Sequence, residues 1–376
     1  VLAAIGVGAA MVLLVVRALA IELLSKNGEL VSMEFENPLY AWFLHGPGPF
    51  GYTGLILGNS FGGARPMLGF LAGLVVFAVV ALGVATLGIA AARSRFAVLV
   101  STWLAIGVGA GLAGMVSFAV SAPGVPSSGS ETLALWMRRG LAEGYYWGFL
   151  VGLLVGLAVM ALWRPHPGSR PGAGSRQAPG ALMLAGGVAM ACVLVLVLST
   201  LVGEFLDSES TRFGSEHENP LFVFVFQGLV PLGQTGLIND NVRSSWGWLP
   251  GFLLGLVAVA LVVFALTWRG LRHGITGVGV LLQVWLAIAV GTGVGAVVTA
   301  SAATLQAKFV DDRPVFGWAY SLRASLDGGY YWGVYLGLGL GLLSMILVAA
   351  RSRSRSPSGS ASGPPGTQDW ENREPR

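Results

Sequence analysis

Two stretches of this chain gather residue types that could do chemistry, and each is a version of the other. Residues 36 to 59 and 218 to 241 are identical at twelve of 24 positions, a displacement of 182. The kept residues include Glu36, Asn37, Thr53 and Gly54, matched by Glu218, Asn219, Thr235 and Gly236. A carboxylate and a hydroxyl from each copy, brought to one axis, would present four oxygen-bearing groups suited to a cation or a hydrogen-bonding solute. Turn geometry alone accounts for keeping Pro38, Gly46, Pro49 and Gly51. It accounts less well for Glu36 and Thr53, because a helix cap tolerates several residue types.

Further charges fall inside or beside apolar runs. Glu22 and Glu204 align near the ends of two such runs, and Arg17 lies deeper in the first. Ionisable groups at membrane depth are functional candidates by default. Arg17 is the weaker candidate, since its counterpart is Ser199 and a long basic side chain is expected to snorkel to the interface. Arg139 and Glu143 stand four residues apart, as do Arg323 and Asp327, and each pair precedes a Gly-Tyr-Tyr-Trp-Gly run at 144 to 148 or 329 to 333. On a helix that spacing makes a facing ion pair. Two such pairs could form a charged outer vestibule; the plainer reading is an exposed pair worth under ~1 kcal/mol beside an interfacial aromatic belt.

Signals for enzyme chemistry are poor. The sequence holds no Walker A, HExxH or CxxC motif, and His45, His166, His217 and His273 are neither paired at ligand spacing nor repeated between copies. Gly58 to Gly62 fits GxSxG, but that motif needs a strand-turn-helix in an α/β sheet, and the duplicate reads Asp240-Asn241-Val242-Arg243-Ser244. The lone Cys192 allows neither an intrachain disulfide nor a thiolate cluster. No catalytic residue, cofactor or metal site is expected, and no enzyme.

The elements that must position these residues are membrane spans. A chain of 376 residues with 54% hydrophobic and 11% charged residues lies outside the globular range. Apolar runs long enough to cross a ~30 Å hydrocarbon core lie near 1 to 24, 68 to 92, 96 to 120 and 145 to 163. They recur near 181 to 206, 249 to 268, 275 to 302 and 330 to 350. The expected fold is therefore an all-α polytopic membrane protein with eight transmembrane helices, arranged as two parallel four-helix repeats with pseudo-twofold symmetry. The run ending Ala18-Leu19-Ala20 is read as a retained span, because its duplicate lies mid-chain.

Residues 1 to 163 form the first repeat, 164 to 180 a flexible Pro/Gly/Ser/Arg-rich linker, 181 to 350 the second repeat, and 351 to 376 a disordered tail. Basic residues such as Arg93, Arg95, Arg164, Arg269, Arg272 and Arg351 gather on one side, which by the positive-inside rule is cytoplasmic. Both termini are then inside, and the location expected is the plasma (inner) membrane of a bacterium. The long loop between the first and second span of each repeat is extracytoplasmic. It is either a re-entrant element, tolerable at membrane depth only where protein or a watery cavity meets it, or an amphipathic lid on the surface.

Glycines repeat at four-residue spacing, as in Gly148, Gly152 and Gly156 with Gly333, Gly337 and Gly341, a pattern for close helix contact. The expected partners are the lipid bilayer and other membrane subunits or a second copy, with no nucleic acid. Two functions fit: a channel or transporter for a small polar solute or ion, and a non-catalytic subunit or scaffold of a larger membrane complex.

Overall fold

The computed structural model describes residues 1–26, 42–43, 48–51, 53, 55–56, 64–92, 94–121, 133–164, 179–209, 232, 248–272, 277–309 and 318–354. Among them are eight long helices: α1 (Leu2–Lys26), α2 (Ala64–Ala91), α3 (Arg95–Ser121), α4 (Leu133–Leu162), α5 (Pro179–Glu209), α6 (Trp248–Arg272), α7 (Val278–Phe309) and α8 (Trp318–Ser354). All eight contain a stretch long and apolar enough to cross a membrane. At 1.5 Å per residue the shortest, of 25 residues, reaches about 37 Å, more than the ~30 Å hydrocarbon core. Lipid offers no hydrogen-bond partner to the backbone, so a spanning segment of this composition must close its own bonds as a helix. The protein is an integral, multi-pass, all-helical membrane protein.

Two helices differ from expectation at their starts. α4 begins at Leu133 and α8 at Trp318, about three turns ahead of the apolar runs near 145 and 330. Hydropathy sees only the apolar part. The preceding turns carry Arg138, Arg139 and Glu143 on α4 and Arg323 and Asp327 on α8, charges that interrupt the apolar run without interrupting the helix.

α3 and α7 lie innermost, with 83% and 78% of their apolar windows buried, against 28% to 33% for α1, α2, α5, α6 and α8. α3 packs between α2 and α4, and α7 between α6 and α8. One core joins α1 to α4, with Leu14, Phe77, Ile106 and Trp147 in it. A second joins α5 to α7 through Leu196, Val259 and Ile288. A third lies where α3 and α4 meet α7 and α8, with Leu104, Tyr145 and Phe149 against Leu286, Ala289 and Tyr331.

Small residues set the spacing at these crossings. A Cβ on Gly152 would stand 2.9 Å from the Trp103 carbonyl oxygen, and one on Gly337 would stand 2.8 Å from that of Trp285. Likewise Gly156 faces Leu99 and Gly341 faces Leu281. Each second contact repeats the first between residues aligned in sequence. Trp103 closes its crossing further by donating Nε1–H to the Phe149 carbonyl at 2.7 Å.

Residues 48–51, after α1, pack against α2 and α3. Gly48 and Gly51 have φ of +84° and +68°, the left-handed region that favours glycine, and between them Phe50 turns inward. Its ring is fully buried, set edge-on to Phe70 and Phe77, each 5.7 Å between centroids. Its carbonyl accepts a 2.6 Å hydrogen bond from the Ser117 hydroxyl of α3. Leu232, aligned with Phe50, is also buried and meets the Gly295 position of α7.

Candidate functional site

The charged residues of α1, α4 and α8 converge at the end of the bundle where α1 finishes and α4 and α8 begin. Arg323 of α8 is almost fully buried and donates from Nη2 to Oε2 of Glu143 on α4 at 2.7 Å, forming an ion pair across the contact between the two halves of the chain. Its guanidinium also lies 4.8 Å from the centre of the Tyr146 ring. Asp327, one turn along α8, lies within electrostatic reach of both Arg323 and Glu143. Arg17 of α1 approaches from the other side, with its guanidinium 3.6 Å from the centre of the Trp147 ring and within reach of Glu143.

This geometry changes two expectations about charge. Arg17 does not simply snorkel: its Nε and Nη1 are sealed from solvent, and stacking on Trp147 gives the cation an attractive face when desolvated. The pairing of Glu143 with Arg323 runs between helices rather than along one, and 2% exposure of the Arg323 side chain takes it out of the class of solvated surface pairs. Removing one partner of a buried pair leaves the other charge uncompensated. Arg139, the residue expected to face Glu143, is exposed with its guanidinium 5.8 Å from the Trp136 ring centre.

A second contact crosses the same helices in the opposite sense. Arg138 of α4 lies 5.3 Å from the ring centre of Tyr331 on α8. Counted back from the Gly-Tyr-Tyr-Trp-Gly runs, Arg138 and Arg323 hold the same place, as do Tyr146 and Tyr331. Each half thus lays an arginine over a tyrosine of the other. Sequence reading missed Arg138 by matching the acid spacing instead of counting from the shared aromatic run. Between the two contacts Phe149 stacks on Tyr330 at 4.7 Å and 20°.

The loop candidates divide. Glu36, Asn37, Gly54, Glu218, Asn219, Thr235 and Gly236 lie outside the described residues. Thr53 is buried, and its Oγ1 accepts from the Leu55 amide at 3.1 Å, a local turn bond. Glu22 is fully buried and accepts the Ile56 amide at 3.1 Å, so its carboxylate anchors the Thr53–Ile56 turn to the end of α1. Glu204, its aligned counterpart on α5, is buried as well. The structure therefore brings Glu22 to the Ile56 amide, three residues past Thr53, and Glu143 to Arg323 and Asp327, as two separate sets.

Among the described residues no group of three or more histidine, cysteine, aspartate or glutamate side chains could hold a metal ion. Cys192 is buried. Tyr146 ties the charged set to the loop, donating its hydroxyl to the Trp42 carbonyl at 2.8 Å. What results is a compact set of two guanidinium and two carboxylate groups, flanked by Trp147 and Tyr146, at a helix contact within an apolar bundle. No family model matches the sequence, and no curated protein and no solved structure is similar to it.

Proposed function

We propose that the protein is a channel or transporter for a small polar solute or ion, built from two duplicated halves related by a pseudo-twofold axis along the membrane normal. The observation that carries the reading is the Glu143–Arg323 pair, with Arg17 and Asp327 beside it, at the α4–α8 contact. Charges are costly inside a membrane and mark solute and ion pathways where they occur. Transporters with internal repeats place such sites at the repeat interface. The reciprocal Arg138–Tyr331 and Arg323–Tyr146 contacts support the twofold relation, since a self-complementary interface pairs i with j and j with i.

In this reading the charged end faces outside, the basic loops face the cytoplasm with both termini, and the host is the plasma membrane. The two loops bearing Glu36, Asn37, Thr53 and Gly54, and Glu218, Asn219, Thr235 and Gly236, form the outer part of the pathway. Burial of Phe50 between α2 and α3 and its bond to Ser117 support a loop that re-enters the bundle rather than a surface lid. The deciding experiment is uptake into proteoliposomes, scanned over ions and small metabolites. Glu143→Gln, and separately Glu36→Gln combined with Glu218→Gln, are expected to abolish a flux that the parent protein shows, with insertion unchanged.

A second reading, a non-catalytic subunit or scaffold, is favoured by the close Phe149–Tyr330 stack between halves and the glycine contacts along α3–α4 and α7–α8. It predicts no flux for any solute and a partner co-purifying in mild detergent.

A further inference from the structure

We propose that Arg138, with Tyr331 of α8 and the space beside Gly328, forms a binding site for a small carboxylate anion. The two Gly-Tyr-Tyr-Trp-Gly runs give the argument its register. Arg138 and Arg323 each stand six residues before their run, and Glu143 and Gly328 each stand one residue before it. Arg323 reaches across to Tyr146 and, one turn earlier on the same helix, finds the carboxylate of Glu143. Arg138 reaches across to Tyr331 and, one turn earlier on that helix, finds Gly328. A Cβ on Gly328 would meet no atom within 4 Å, so there is room where the other half carries its acid.

The second acid is missing too. The position matching Asp327 in the first half is Ala142, and Asp327 itself interacts with Arg323 and Glu143. Arg138 is half-buried and hydrogen-bonded to Tyr331, and among the described residues no carboxylate forms an ion pair with it. A guanidinium in that condition is a cation whose twin, in the same register, is neutralised from within the chain. Its planar fork matches a carboxylate in bidentate geometry. Tyr331 is hydrogen-bonded to Arg138 and to Tyr335, whose ring centre lies 5.1 Å away, and the Tyr335 hydroxyl is able to donate to an anion.

The chemistry that fits is that of the absent glutamate: a monocarboxylate entering from solution. The proposal stands apart from the transport reading, since binding is read without a membrane or a gradient. The test is thermal unfolding of the purified full-length protein in detergent, titrated with sodium acetate against sodium chloride at equal ionic strength. The parent protein is expected to show a saturable upward shift with acetate that chloride does not give.

Arg138→Gln should raise the half-saturating acetate concentration about ten-fold or more. Gly328→Glu supplies the carboxylate from within and should remove the acetate shift, whereas Gly328→Ala keeps it. Absence of an acetate-specific shift in the parent protein, or a shift undiminished in Gly328→Glu, overturns the proposal. If one of Arg138→Gln and Gly328→Glu does not fold, the other decides on its own.

Discussion

The Glu143–Arg323 pair allows a quantitative test of how the halves are joined. Arg323 is 1% exposed, so replacing its partner strands a cation in a medium that solvates it poorly. Breaking a buried pair from one side costs about 3–5 kcal/mol. Two features of the site reduce that for Glu143→Gln. The Glu143 side chain keeps 18% of its surface exposed, and Asp327, one turn along α8, remains within electrostatic reach of the same guanidinium. An expected loss of about 2 kcal/mol follows for Glu143→Gln, rising to about 4 kcal/mol when Asp327→Asn is added. Arg323→Met, with Glu143 left partly solvated, should fall between them, and the double variant Glu143→Gln with Arg323→Met should recover part of the loss. Reversible denaturation in mixed micelles, read as a double-mutant cycle, gives the coupling directly. Residues in one ion-pair network couple by about 0.5–3 kcal/mol. A coupling below about 0.5 kcal/mol would refute the claim that this pair joins α4 to α8.

Three further perturbations address packing, the loop and topology. Gly152→Leu or Gly337→Leu, each facing a tryptophan carbonyl within 3 Å of the added Cβ, should cost about 1–3 kcal/mol as overpacking. Leu154→Ala, at a side chain 61% exposed on the apolar surface, should change thermal stability in detergent far less; equal effects would place the ladders on lipid. Ser117→Ala leaves the buried Phe50 carbonyl without its 2.6 Å donor, an expected loss of about 1–3 kcal/mol. An unchanged unfolding temperature would show that the loop bond contributes nothing. Cysteines placed at Ser60 or Ser208 should react with an impermeant thiol reagent on intact cells and those at Ser94 or Ser175 should not. The native Cys192 is fully buried and should give little background, and the reverse labelling pattern would invert the topology.

The helix count was legible because lipid imposes one rule on every spanning segment, and a run of about 20 apolar residues reports it. The glycine ladder was legible for a related reason: a residue kept for close approach recurs at the same register in both copies, as Gly152 and Gly337 do against Trp103 and Trp285. The charged site was only half legible. One sequence gives the spacing along a helix, so Arg139 and Glu143 invited an intrahelical pair; the partner across the helix contact, Arg323, depends on a crossing that no spacing reports.

The positions where the copies disagree are more telling than those where they agree. Arg17 corresponds to Ser199, Gly48 to Val230, Glu143 to Gly328 and Asp327 to Ala142. The first two differences belong together. The Arg17 guanidinium lies against the place a Cβ on Gly48 would take, and Gly48 has a backbone conformation that disfavours a side chain. A copy with serine in place of the arginine has no guanidinium there to clear. The other two place Glu143 and Asp327 about Arg323, while Arg138, in the matching place, has the Tyr331 ring and hydroxyl beside it. In the two-half reading proposed above, either side of this contact could have become the charged one. The proposed transport reading draws support from the last two differences, which make the two sides of the α4–α8 contact chemically unlike, as an interface serving only to hold two halves together has no need to be.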